Sequence, residues 1–125
     1  MGYTIKNLKA VEDMAKRHGL SDQGEARFAR EDLDAVQTGV SHQRLRAGKR
    51  QQFGHHHEQA EEVYVVLAGS GRVKLDDEIL EIGTLDAIRV SPETMRAFEA
   101  GRYSSRFAFT ATFSRLVASS TVMAV

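Results

Sequence analysis

The chain contains no cysteine and no tryptophan, and it has only one proline. Without cysteine there are neither disulfides nor thiolate ligands, so any bound metal must take nitrogen and oxygen donors. Neither sign of charge predominates, because 17 basic residues balance 17 acidic ones. Nucleic acids and anionic membranes usually call for a basic surplus, so neither is an expected partner. The opening stretch, MGYTIKNLKAVEDMAK, lacks an unbroken apolar segment. No apolar run approaches the roughly 18 residues of a membrane span. A soluble protein of the cytoplasm is the expectation.

What remains has the composition of one ordinary globular domain. A chain of 125 residues, 42% of them apolar and 27% charged, can bury about two-thirds of its unfolded surface. Near the N-terminus, Asn7 is placed to cap a helix through Leu8, Val11, Met14 and Ala15, with Lys16, Arg17 and His18 in its last turn and Gly19 just beyond it. From there the period changes to two. Short strands are expected at residues 26–29, 36–48 and 61–69, the last of these being the Val- and Tyr-rich EEVYVVLAG. RVKLDDEILEIG reads as a hairpin turning at Asp76, Asp77 and Glu78, and further strands follow at residues 85–90, 94–101 and 104–113. In the last of these, Phe107, Phe109, Ala111 and Phe113 share one face. Many short strands with tight turns and one leading helix make an all-β sandwich or barrel.

Chemistry concentrates in GHHHEQAEEVYVVLAGSG, residues 54–71. In an extended chain His55 and His57 face one side and His56 the other. Two imidazoles with a nearby carboxylate suit a divalent ion such as Fe, Mn, Ni, Zn or Cu. Glu62 reaches the same side only if a turn or bulge intervenes, and it then shares a face with Tyr64, Val66 and Ala68. Glu58 and Glu61 read as a solvated face.

The spacing His55-x-His57-x4-Glu62-x6-Gly69 resembles the first motif of the cupin family, and GSGRVKLDDEILEIGTLDAIRVSPETMRAF is similar to that family's hairpin and second motif. The resemblance covers roughly residues 36–101. It implies a cupin jelly-roll β-barrel at residues 21–114, an N-terminal helical segment at 1–20 and a tail at 115–125. It also implies a divalent metal held by His55, His57 and Glu62 inside the barrel, a small-molecule ligand, and a homodimer. The family spans isomerases, decarboxylases, dioxygenases and non-enzymatic binding proteins, so the motif does not select a reaction. Beyond residue 101 the resemblance is weak, as a shifted reading frame or a lineage-specific extension would leave it.

One position departs from the pattern. The second motif ordinarily supplies another histidine a few residues beyond a proline turn, and the matching residue here is Arg96. Guanidinium stays protonated and offers only donors, so it cannot be a ligand. At an effective dielectric of about 20 and a separation of about 5 Å, it would repel a divalent ion by roughly 6 kcal/mol. Glu62 therefore has two possible partners, the metal or a bidentate pairing with Arg96. Arg96 is either structural or a fork for a carboxylate or phosphate on the ligand. Tyr64 and Phe98 are expected on the pocket wall beside it, and the alternative for both is plain core.

Overall fold

The computed structural model describes residues 2–51 and 60–114. His55, His57, Glu58 and the tail at 115–125 thus lie outside the described residues. Among the described residues there are eight strands: β1 (Gly24–Phe28), β2 (Thr38–Leu45), β3 (Glu62–Ala68), β4 (Ser70–Leu75), β5 (Glu78–Gly83), β6 (Ala87–Val90), β7 (Arg96–Ala100) and β8 (Ala108–Ser114). They form two sheets, one of five strands in the order β1-β2-β8-β3-β6 and one of three in the order β5-β4-β7. Every pairing is antiparallel. Among the described residues no helix is long and apolar enough to cross a membrane.

Period-two patterning fills the space between the sheets. On β3, Glu62, Tyr64 and Val66 point inward and are buried, while Val63 and Leu67 are exposed. On β7, Arg96, Phe98 and Ala100 are buried. β8 adds Phe109 and Ala111, and Phe107 just ahead of it is buried as well. Phe98 and Phe109 stack with ring centroids 4.3 Å apart, Tyr64 tilts against Phe98 at 4.7 Å, and Phe107 lies 5.7 Å from Phe109. Each such pair contributes about 0.5–1.5 kcal/mol beyond its buried area. Together the rings fill part of the space between the sheets with side chains.

Of the strand expected at residues 104–113, only the part from Ala108 forms; β8 runs to Ser114 as a central strand between β2 and β3. Two other local expectations shift. The single N-terminal helix is split into a 3-10 turn at Leu8–Ala10 capped by Asn7 and a four-residue helix, Met14–Arg17, capped by Asp13. Val11 breaks it, because it is extended and buried. Asp13 also accepts from the Ala26 amide of β1, a long-range bond that local propensity does not anticipate. The β4–β5 hairpin turns on Asp76 and Asp77 alone, since Leu75 pairs with Glu78. Asp76 takes φ 52, which suits a two-residue turn. Gly69, at φ 78, makes the equally tight passage from β3 to β4.

Leu85 is the conformational outlier. It sits in the β5–β6 turn at φ 71 with its side chain 77% exposed, so nothing packs against it to offset the left-handed backbone. Its amide is held by the Val66 carbonyl at 2.8 Å, and Val66 donates in return to Asp86 at 3.0 Å. For a residue with a Cβ this conformation costs about 1–2 kcal/mol. Leu85→Gly should raise stability by about 1 kcal/mol after allowing for the greater freedom of glycine in the unfolded chain. A urea titration showing a higher midpoint at unchanged slope is the expected result.

Candidate functional site

A cavity of about 530 Å³ opens on the inner face of the five-stranded sheet, and the register of that sheet explains it. Ser41 on β2 pairs with Ala111 on β8, and Ala111 pairs with Tyr64 on β3. The small Ala111 side chain thus separates two polar ones, and the cavity lies above it. In the neighbouring row Gly39 pairs with Phe113, and Phe113 with Glu62. The Phe113 ring leans over Gly39, where a Cβ would come within 2.4 Å of it. Glu62 and Tyr64 form one wall of the cavity, Ser41 and Gln43 another, and Arg30 and Phe28 stand at its edge.

The acidic wall is tightly organised. Tyr64 donates from its hydroxyl to Glu62 Oε1 at 2.7 Å. Burial, and then the Glu62 charge, push the Tyr64 phenol well above its ordinary range, so it remains a donor at neutral pH. Arg96 enters from the opposite sheet. Its Nη1 lies 3.7 Å from Glu62 Oε1, and its Nη2 donates to the Ser91 carbonyl at 2.7 Å. The pair is a single approach and not a bidentate fork. The Arg96 side chain has no exposed surface, and among the described residues its Nε and Nη1 have no hydrogen-bond acceptor. Removing one member of such a buried pair typically costs about 3–5 kcal/mol, because the other charge is stranded.

Glu62, Tyr64, Arg96 and Phe98 therefore come together, with Phe98 in the aromatic stack against Tyr64. His55 and His57 are not among the described residues, and within those residues no three His, Asp or Glu side chains gather at one point. Glu62 fits a metal as an oxygen ligand facing a cavity. Arg96, so near that oxygen, fits one only if an anion offsets its charge.

Sequence reasoning missed the second polar wall. The Phe98 amide donates to Gln51 Oε1 at 3.0 Å, Gln51 Nε2 to Gln43 Oε1 at 3.1 Å, and Gln43 Nε2 to Ser41 Oγ at 3.4 Å. A backbone amide can only donate, so it sets the sense of the whole chain and leaves the Ser41 proton free to point elsewhere. Arg30 was also missed. It follows Phe28 by two, and the Ala29 amide continues the ladder to the Val40 carbonyl at 3.0 Å, so Arg30 falls on the inner face opposite Gly39. That alternation was readable, but the end of β1 was not.

Comparison with known structures agrees with this architecture. A cupin protein from Bacteroides fragilis superposes with a TM-score of 0.77 at 23% identity, over 94% of this chain and 88% of that one. KdgF from Halomonas sp. gives 0.60 at 16% identity, over 76% and 82%. An oxalate decarboxylase from Bacillus subtilis gives 0.70 at 20% identity, but this chain spans only 30% of that longer protein. No family model matches the sequence, and neither does any curated protein. The fold is that of a small cupin, a jelly roll of two antiparallel sheets.

Tyr64→Phe removes the donor from Glu62 and should cost about 1 kcal/mol of stability. The phenol is raised in the folded state relative to its ordinary 10.0, so its contribution is complete below pH 10 and is lost as pH rises beyond it. Tyr64→Phe should therefore show a shallower alkaline loss of stability than wild type when melting temperature is followed upward from pH 9.

Proposed function

We propose that this chain binds a small anionic molecule inside the barrel beside a divalent metal, Fe, Mn, Ni, Zn or Cu, held by His55, His57 and Glu62. The observation that carries this reading is the buried Glu62–Arg96 pair at the cavity wall. Glu62 is aimed inward and oriented by Tyr64, and Arg96 brings a positive charge that makes the site more favourable for a metal accompanied by an anion than for a metal alone. When bound, the metal would supply Lewis-acid polarisation of a ligand oxygen or a site for O2. The chain's own residues have simpler parts. Glu62 offers the ligand oxygen, and Tyr64 holds its carboxylate and remains protonated, its own ring packed against Phe98.

A second reading is a metal-free binding module, favoured by one specific feature. Arg96 stands where cupins ordinarily place a further histidine, and it approaches the one described carboxylate of the expected ligand set. In that case the ion pair replaces the metal outright.

Metal analysis of tag-free protein, after loading with each of the five ions in the presence of malonate or phosphate, separates the two. About one equivalent bound is expected. Protein that stays empty under all these conditions supports the module instead. Arg96→His, which removes the cation and adds an imidazole, should raise metal affinity at least tenfold. Unchanged affinity in competition titrations would count against the ligand set and against the match of Arg96 to the second motif.

A further inference from the structure

Arg96 is not the cation that an incoming ligand meets. Its side chain is fully covered, Nη2 is committed to Ser91, and its charge is opposed by Glu62. Arg30, by contrast, lines the cavity itself. Among the described residues its guanidinium makes one hydrogen bond, Nη2 to the Val36 carbonyl at 3.1 Å, and no ion pair. Arg30 and Glu62 are the only charged side chains among the described cavity residues. With Glu62 opposed by Arg96, the charge left over among the described cavity residues is that of Arg30. A carboxylate or phosphate placed there gains a charge-assisted, fork-shaped donor.

The neutral wall points the same way. Because the Phe98 amide orients the Gln51–Gln43–Ser41 chain, the Ser41 hydroxyl accepts from Gln43 and keeps its own proton to donate. The second N–H of the Gln43 amide is likewise a donor. Ser41 lies across Ala111 from Tyr64, two strand spacings or roughly 10 Å away. Donors gather on the β1–β2 side and the carboxylate on the β3 side. A small molecule would therefore lie across Ala111 with its oxyanion toward Arg30 and its reacting end toward Glu62.

We infer that Arg30, with Ser41 and Gln43 beside it, is the anchor for the oxyanion of the ligand, and that Arg96 acts as the counter-ion of Glu62. The inference rests on the proposed binding of an anion in the barrel and assigns the residues that hold it. Titration calorimetry with malonate and with inorganic phosphate, on apo and metal-loaded protein, tests it and distinguishes the carboxylate from the phosphate form. Wild type should bind one of the two saturably, and Arg30→Gln should weaken that binding at least tenfold while melting normally. Ser41→Ala should weaken it three- to tenfold. Arg72→Gln, on the outer face in a pair with Glu99, should leave it unchanged. Binding by Arg30→Gln within twofold of wild type, or an equal loss in Arg72→Gln, overturns the anchor and leaves the functional reading standing. Wild type that binds neither probe overturns both.

Discussion

A glutamate and an arginine share the space between two sheets, and the rest of the interior is arranged around that fact. Neither charge can be taken out of water alone. The effective penalty is several kcal/mol per ion even after the protein relaxes, which is large beside the net stability of a domain, about 5–15 kcal/mol. Glu62 is held by the Tyr64 hydroxyl and faces Arg96, and Arg96 is held by the Ser91 carbonyl. The aromatic stack of Phe98, Phe109 and Phe107 then fills the adjoining volume with rings that need no polar partners. Tyr64 joins the two, its ring against Phe98 and its hydroxyl on Glu62, and it also lines the cavity.

The pair also sets the electrostatics of the cavity. Had the position of Arg96 held a histidine, a neutral imidazole would have faced Glu62 and a divalent ion would have met no repulsion. The guanidinium reverses that balance. It opposes the one carboxylate among the described residues of the cavity wall, where Arg30 is the other charged side chain. Under the proposed function, a metal and an anion would thereby each favour the binding of the other. A small change at one strand position thus alters what the whole interior prefers.

Much of this was legible before any coordinates. The inward face of β3 follows from alternation through Glu62, Tyr64 and Val66, and the inward face of β7 from Arg96 and Phe98, because a strand has only two faces and one must be apolar. That a strand forms at β8 follows from Phe109, Ala111 and Phe113 at period two, even where the resemblance to cupins is weak, but its place between β2 and β3 does not. The N-terminal helix was misread because its spacing suits a helix while the tertiary bonds of Asp13 to β1 and the burial of Val11 divide it. Arg30 was overlooked because it lies one step past the end of β1, where only the pairing of Ala29 with Val40 shows that the alternation continues.

Local period and spacing in the sequence carry the class of fold, the faces of its strands and an inward-facing arginine at position 96. Tertiary structure alone decided where space would remain and which charge would face it. Ala111 lies between Ser41 and Tyr64 only once β2, β8 and β3 are in register, and Arg96 reaches Glu62 only when the two sheets are stacked. Contacts across strands and between sheets join residues far apart in the chain, so no local pattern encodes them.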